Sequence, residues 1–415
     1  MDTLRHLHWE RRTLYLALTA PLLAYTTLRL LRPILLPPQA PNHIIPSPRQ
    51  ALEPLNSATQ NSPDREKDDL PYPPNALPGA RDVSTPYGSI RVYEWGPETG
   101  RKVLLVHGIS TPCIALARIA QLLVEREGCR VMLFDLFGRG YSDTPDPEQY
   151  RQDLQLFTTQ ILLVLSSSKL AWMGGGERFT LMGYSLGGGI SAAFTADFPE
   201  MVGSLVSIAP SGLIRPGNIT VSSKLIYGGL LPSGLVNYFV GRRLRGNPKA
   251  SALSSANPEA TTTGAVSAAE SEVPGHPAHA ADSSALIFPG RAAISPANAV
   301  AWQVDAHPGF LPAFVSSIKH APVTGQHARW KRIGDRQAAR RASAEPEKAP
   351  AALRELKTLV LLGEQDTVIV ADEVGPDTVK VMGAENVEVV RLEGGHDLPI
   401  VNASGCVDAV IGFWR

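Results

Sequence analysis

Cysteine is scarce in this chain. Cys113, Cys129 and Cys406 are the only three, odd in number and far apart. That excludes a disulfide framework and a zinc knuckle, and it fits a reducing compartment. Excess charge is lacking too: Lys plus Arg is 39 and Asp plus Glu is 39. No basic patch stands out, so no nucleic acid is expected as a partner. No internal repeat is visible, and no clustered ligand set calls for a metal or an organic cofactor. A long unbroken apolar run is also missing. The nearest is Thr13 to Leu28, 16 residues without charge between Arg11–Arg12 and Arg29. A spanning helix wants about 20, so this stretch reaches the length only if Arg29 snorkels to the interface.

Three segments precede or interrupt a globular pattern. Residues 1–32 are read as a single-pass membrane anchor, with the catalytic body facing the cytosol. A mitochondrial or secretory targeting peptide, or an amphipathic tail, is the alternative. Residues 33–80 are proline-rich with polar filler and read as a linker. The folded body is then expected from about Arg81, and a chain starting there is expected to be active. A second break, about residues 247–284, is dominated by Ala, Ser, Thr, Pro and Glu without an aromatic. Such a composition buries too little apolar surface to offset its ordering entropy, and it is expected to be disordered.

Between the breaks, short β-rich runs alternate with helical ones. Ser89 to Trp95, Lys102 to His107, Arg130 to Asp135, Arg178 to Met182, Leu205 to Ala209, Leu356 to Leu362 and Val387 to Leu392 read as strands. This rhythm predicts an α/β fold, a mostly parallel sheet with helices on both faces. Residues 214–349 break the rhythm with helical, aromatic-bearing segments. An insertion there sits over the carboxyl ends of the strands, where ligands of open α/β sheets bind.

Gly183-Tyr184-Ser185-Leu186-Gly187 carries the most chemistry. It lies between the apolar run Phe179 to Met182 and the Ala- and Gly-rich helix from Leu186 to Phe198. A strand, a tight turn and a helix are the setting in which such a turn presents a serine as nucleophile. Gly183 and Gly187 leave room for the strained turn. His396, in Glu393-Gly394-Gly395-His396-Asp397, follows the last predicted strand and is the candidate base. Asp366, in Gly363-Glu364-Gln365-Asp366, follows the strand before it and is the candidate acid that orients the imidazole. Glu364 and Asp372 are its rivals, one too close to the strand end and the other expected as a helix N-cap. Val106-His107-Gly108-Ile109 runs from a strand into a loop beside the nucleophile. The backbone N–H groups of Ile109 and Leu186 are the candidate oxyanion hole, with His107 bracing the loop.

These pieces together resemble an α/β-hydrolase of the lipase, esterase and epoxide-hydrolase group. His107-Gly108, Asp135-Leu136-Phe137-Gly138-Arg139-Gly140-Tyr141-Ser142, the Ser185 turn, Asp366 and His396 follow the family's order. The resemblance implies the family's mostly parallel eight-stranded sheet and an inserted helical lid. It also implies that the D-x-x-G-x-G-x-S loop is structural, so Asp135, Arg139 and Ser142 stay outside the catalytic set. A serine at the elbow, where epoxide hydrolases carry aspartate, points to attack on an acyl carbonyl. The expected substrate is a small apolar ester, with thioester and amide open. An acyltransferase or perhydrolase on the same residues, or a non-catalytic binder, are the alternatives. Tyr184, Tyr227, Tyr238, Phe239, Trp302, Phe310 and Phe314 are the candidate pocket aromatics, or else the lid's own core.

Overall fold

The computed structural model describes residues 19–21, 23–24, 26–28, 31, 43–49, 70–174, 176–215, 226–228, 231–245, 284–288, 291, 294–345 and 348–415. Contacts divide the chain into residues 1–43 and residues 44–415. In the first unit the described residues between 19 and 31 are helical. The expected single-pass anchor is corrected here: among the described residues, no helix is long and apolar enough to cross a membrane. The 16-residue charge-free stretch is itself short of a span, and its first residues, 13–18, lie outside the described ones. The segment 247–283, expected to be disordered, also lies outside them.

The second unit is built on an eight-stranded sheet. Its elements are β1 (Ile44–Ile45), β2 (Ala80–Thr85), β3 (Gly88–Trp95), β4 (Lys102–Val106), α1 (Ala117–Glu127) and β5 (Arg130–Phe134). After them come β6 (Thr144–Pro145), α2 (Leu154–Ser166), β7 (Phe179–Tyr184), α3 (Leu186–Asp197) and β8 (Val202–Ile208). The insertion supplies α4 (Ser233–Leu244), α5 (Pro296–Ala306), α6 (Phe310–His320) and α7 (His327–Ala342). The chain ends with β9 (Thr358–Gly363), α8 (Ala371–Met382), β10 (Val387–Leu392), α9 (Leu398–Val401) and α10 (Ala403–Trp414).

Strand order is β10-β9-β8-β7-β4-β5-β3-β2. All neighbours from β10 to β5 run parallel, and β3 and β2 close the other edge antiparallel. Every residue of β7, β8 and β9 is buried, as the apolar runs of a doubly covered sheet require. From β4 the chain steps outward to β5, then returns and builds β7 to β10 on the other side. The order therefore reverses between β4 and β7. A crevice opens at such a reversal, outside the carboxyl ends of the strands, and Ser185 follows β7 at that point.

The expected linker over 33–80 differs from what is observed in its described parts. β1 pairs antiparallel with β6, and the Ser47 N–H donates to Asp143 Oδ1 at 2.8 Å. Tyr72 is fully buried and Leu77 nearly so. The Tyr72 hydroxyl donates to Asp135 Oδ2 at 3.0 Å and sits 3.0 Å from the Tyr93 hydroxyl. Asp135 Oδ2 also accepts the Tyr141 N–H, while Oδ1 accepts the Cys113 N–H. Burial raises the Asp135 carboxyl above its ordinary range, against these hydrogen bonds. Among its described residues, Tyr72 and Leu77 belong to the core.

The insertion carries an acid-sensitive residue. His307 ends α5 and is buried; Nε2 lies 3.0 Å from Ser142 O, and Nδ1 accepts the Gly309 N–H at 3.2 Å. A ring that accepts at Nδ1 and donates at Nε2 is neutral. Burial first, opposed by the Ser142 O hydrogen bond and aided by the Arg139 charge, lowers its pKa from 6.5 to about 4. Between those two values the unfolded chain binds the extra proton, so stability falls as pH drops from 6.5 toward about 4. The contribution is on the order of 3 kcal/mol at its limit. Buried His107, lowered to about 3, adds a loss of the same sign. His307→Gln should flatten part of the fall in urea midpoint between pH 7 and pH 4.5. Parallel pH profiles for the variant and the parent chain would remove His307 from the account.

Candidate active site

The turn after β7 holds Ser185 at φ 52°, ψ −118°, a left-handed conformation that a side-chain-bearing residue adopts only under constraint. The constraint comes from hydrogen bonds on both sides. Ser185 N donates to Ile208 O at 2.9 Å, and Ser185 O accepts from Gly188 N and Ser211 N. The turn also packs too tightly for side chains at its flanks. A Cβ on Gly183 would meet Gly187 O at 2.2 Å, and one on Gly187 would meet Val106 O at 2.1 Å.

His396 reaches Ser185 from the far edge of the sheet. Its Nε2 lies 3.1 Å from Ser185 Oγ, and its Nδ1 lies 2.9 Å from Asp366 Oδ2. Asp366 Oδ1 is occupied, accepting the N–H groups of Val368 and Ile369 at 2.8 Å each. A carboxylate only accepts, so Nδ1 carries the proton and Nε2 is left to accept the Ser185 hydroxyl. Ser185, Asp366 and His396 are all buried. The rivals are elsewhere. Glu364 is exposed, and Asp372 pairs with Arg391 at 2.6 Å on an 81% exposed side chain. Asp372 lies in the first turn of α8, whose N-cap is Val370 rather than Asp372.

The loops that carry acid and base are tied together. Gln365 N donates to Gly394 O at 3.0 Å, and Gln365 Oε1 accepts the Gly394 N–H at 2.6 Å. Tyr184, expected as a pocket residue, is 3% exposed. Its hydroxyl donates to Asp397 at 3.0 Å, and its ring centroid lies 5.4 Å from that of His396. It braces the histidine loop. Neither Gln365 nor Asp397 was in the sequence-derived set, although both adjoin residues that were.

On the other side of Ser185, Leu186 opens α3, so its N–H is among the unpaired first donors of that helix. Ile109 follows β4 and Gly108, where a Cβ would stand 3.3 Å from Ser185 Cβ. The loop therefore runs directly beside the nucleophile. His107 is fully buried and accepts the Leu136 N–H at Nε2, 2.9 Å away, so its proton is on Nδ1, 2.8 Å from Gly108 O. Burial first, and the Arg139 charge second, lower its pKa to about 3, which keeps it neutral.

The pocket aromatics divide. Phe310 and Phe314 are buried in the main hydrophobic core, with ring centroids 6.0 Å apart. Trp302 packs its ring 5.4 Å from Tyr141 and 6.0 Å from Tyr72. Tyr227 is half-buried against the core. Tyr238 and Phe239 are 60% and 49% exposed on α4. Among the described residues, no cluster of three or more His, Cys, Asp or Glu is placed to hold a metal ion.

A sequence profile of the α/β-hydrolase fold family matches residues 102–403. The chain is an α/β-hydrolase fold protein. This α/β-hydrolase is 31% identical over 139 residues to a serine hydrolase-like protein of Danio rerio, covering 33% of this chain and 39% of that one. It is 31% identical over 137 residues to a serine hydrolase-like protein of Homo sapiens, covering 32% and 62%. It thus spans less than two thirds of either relative. Among solved structures, a bacterial membrane phospholipase A aligns over 97% of this chain and 98% of its own, with TM-score 0.52 and 18% identity. A putative lipase of Acinetobacter baumannii aligns over 90% and 98%, with TM-score 0.52 and 16% identity. At these identities the likeness is one of fold.

Proposed function

We propose that this α/β-hydrolase is a serine hydrolase that cleaves a carboxylic ester, or a thioester or amide, through an acyl-enzyme on Ser185. One observation carries the reading: His396 bridges Ser185 Oγ and Asp366 Oδ2 at 3.1 and 2.9 Å. Both distances are within the reach required for proton transfer and for orientation of the base.

As Ser185 Oγ bonds to the carbonyl carbon, its proton passes to His396 Nε2. Asp366 stabilises the imidazolium and holds it in place. The carbonyl oxygen becomes an oxyanion, held by the Ile109 and Leu186 N–H groups. On collapse, the imidazolium proton goes to the leaving oxygen, sulfur or nitrogen. A water then gives its proton to His396 and attacks the acyl carbon. Ser185 departs and takes the proton back.

The test is labelling with a fluorophosphonate, which bonds only an activated serine. Intact-mass analysis should show one adduct, mapped to the peptide holding Ser185. A panel of p-nitrophenyl esters of graded acyl length then reads the substrate's size. A folded chain that takes no label and turns over no ester would end this proposal.

A further inference from the structure

The loop after β4, which carries the proposed oxyanion donor Ile109, is gripped by residues that the mechanism does not use. Arg139 is fully buried in the loop after β5. Its Nε donates to Ile109 O at 3.0 Å, one Nη to Phe137 O at 3.0 Å, and the other to Ser317 Oγ of α6 at 2.8 Å. Ser317 Oγ in turn donates to Ala313 O, one turn back on its helix. Gln303, on α5, is also fully buried. Its Nε2 donates to Ser110 O at 3.0 Å, and its Oε1 accepts the Gly140 N–H at 2.9 Å.

These contacts fall on consecutive peptide units. A trans peptide is planar, with its carbonyl and N–H pointing in opposite directions, so fixing one fixes the other. His107 Nδ1 holds Gly108 O, which belongs to the same plane as the Ile109 N–H. Arg139 holds the next plane through Ile109 O, and Gln303 holds the one after through Ser110 O. Released at Ile109 O and Ser110 O, the loop gains rotation at Ile109 and Ser110, and the plane that carries the Ile109 N–H is left to His107 alone, free to drift from its target. A displacement of about 1 Å at such a donor is enough to cost a large factor in rate.

We infer that Arg139 and Gln303 are positioning residues for the oxyanion hole, and that α5 and α6 thereby form part of the catalytic apparatus. The inference rests on the proposed acyl-enzyme reading and deepens it. Two helices of the insertion, more than 150 residues further along the chain, share with His107 in holding the direction of the Ile109 N–H. Substrate that displaced α5 or α6 would then change the rate of chemistry as well as access.

The experiment uses the full chain and three variants. Gln303→Met keeps the volume and removes the donor to Ser110 O. Arg139→Lys keeps the charge and removes the fork. Ser317→Ala cuts the tether between Arg139 and α6, together with the bond to Ala313 O inside that helix. For the first two, kcat on a p-nitrophenyl ester should fall about 10- to 100-fold, at or below the range for a lost oxyanion donor. KM should stay within about threefold, the signature of an interaction made in the transition state. Affinity for a trifluoromethyl ketone, which forms a tetrahedral oxyanion on the serine, should fall in parallel. Affinity for the non-hydrolysable ether analogue of the same ester should not. Ser317→Ala should show the same split, reduced to a few-fold, and it remains decisive if Arg139→Lys does not fold. Folded variants with the parent's kcat and ketone affinity would overturn the inference. The two failures are separable: an unlabelled parent chain rejects the acyl-enzyme reading, whereas a labelled parent with unchanged variants rejects only this role.

Discussion

Ser185→Ala should lower kcat on an activated ester roughly ten-thousand- to million-fold and abolish fluorophosphonate labelling. His396→Ala should do the same, because under the proposed mechanism Nε2, 3.1 Å from the hydroxyl, is the base that receives its proton. Asp366→Asn should cost about ten-thousand-fold. Its oxygen can keep the two backbone donors, Val368 and Ile369, and its amide would then face Nδ1. That arrangement puts the imidazole proton on Nε2, where it cannot accept from serine. None of the three should move the thermal midpoint by much, since the strained turn is held by backbone hydrogen bonds and by glycine packing. Alanine at 185 keeps a Cβ and takes the same φ. Retained labelling in Ser185→Ala would show that another residue reacts. A parent-like rate in Asp366→Asn would show that the acid lies elsewhere.

A chain that begins at Arg81 should fail to fold or should melt far below the full chain, whereas one that begins at His43 should keep the parent's midpoint and activity. The shorter chain loses Tyr72 and Leu77 from the core and the donor from Tyr72 to Asp135. Removing a buried aromatic side chain costs about 3–5 kcal/mol, and leaving a buried carboxylate short of a partner costs about 1–3 kcal/mol more. Against a total stability of about 5–15 kcal/mol for a domain, that loss is decisive. Arg49, which pairs with Asp82 and donates to Ser89, goes as well. Circular dichroism melts of the two chains, with ester turnover, are the measurement. Equal midpoints would mean that the segment before β2 rests on the body without supporting it. The expectation from sequence, an active chain from Arg81, is reversed here because the proline-rich run conceals two core residues.

That reversal marks what sequence conveys and what it does not. That Ser185, Asp366 and His396 come together was legible because each lies within four residues of a strand end, and because a nucleophile turn demands glycines at fixed offsets. The sheet was legible for the same local reason, as β7, β8 and β9 are continuous apolar runs. β2 was not among the expected strands. Ala-Arg-Asp-Val-Ser-Thr lies at an edge, its residues alternate between exposed and half-buried, and it carries no apolar signal. The grips of Arg139 and Gln303 on the β4 loop had no local signature either. They join residues 30 to 193 positions apart, and nothing near Gln303 distinguishes it from any helical glutamine. The aromatics of the insertion were ambiguous because apolar rings suit a core and a pocket alike. Packing alone sent Phe310 and Phe314 inward and left Phe239 outside.

The hydrogen bond between Ser185 and His396 joins residues 211 positions apart, and that distance has a meaning in time. A ribosome releases the elbow, the oxyanion loop and the centre of the sheet long before the histidine exists. β10, the edge strand that carries His396 to its place, pairs among the described residues with β9 alone, and both follow the other strands of the sheet in the chain. A nascent chain that has made everything up to β8 therefore holds its serine beside a missing base. Under the proposed mechanism such a chain is silent, and acyl transfer to stray carbonyl compounds cannot begin on it. Under that mechanism hydrolysis waits until β10 and the histidine loop after it have been made, a safeguard that comes from the order of the strands.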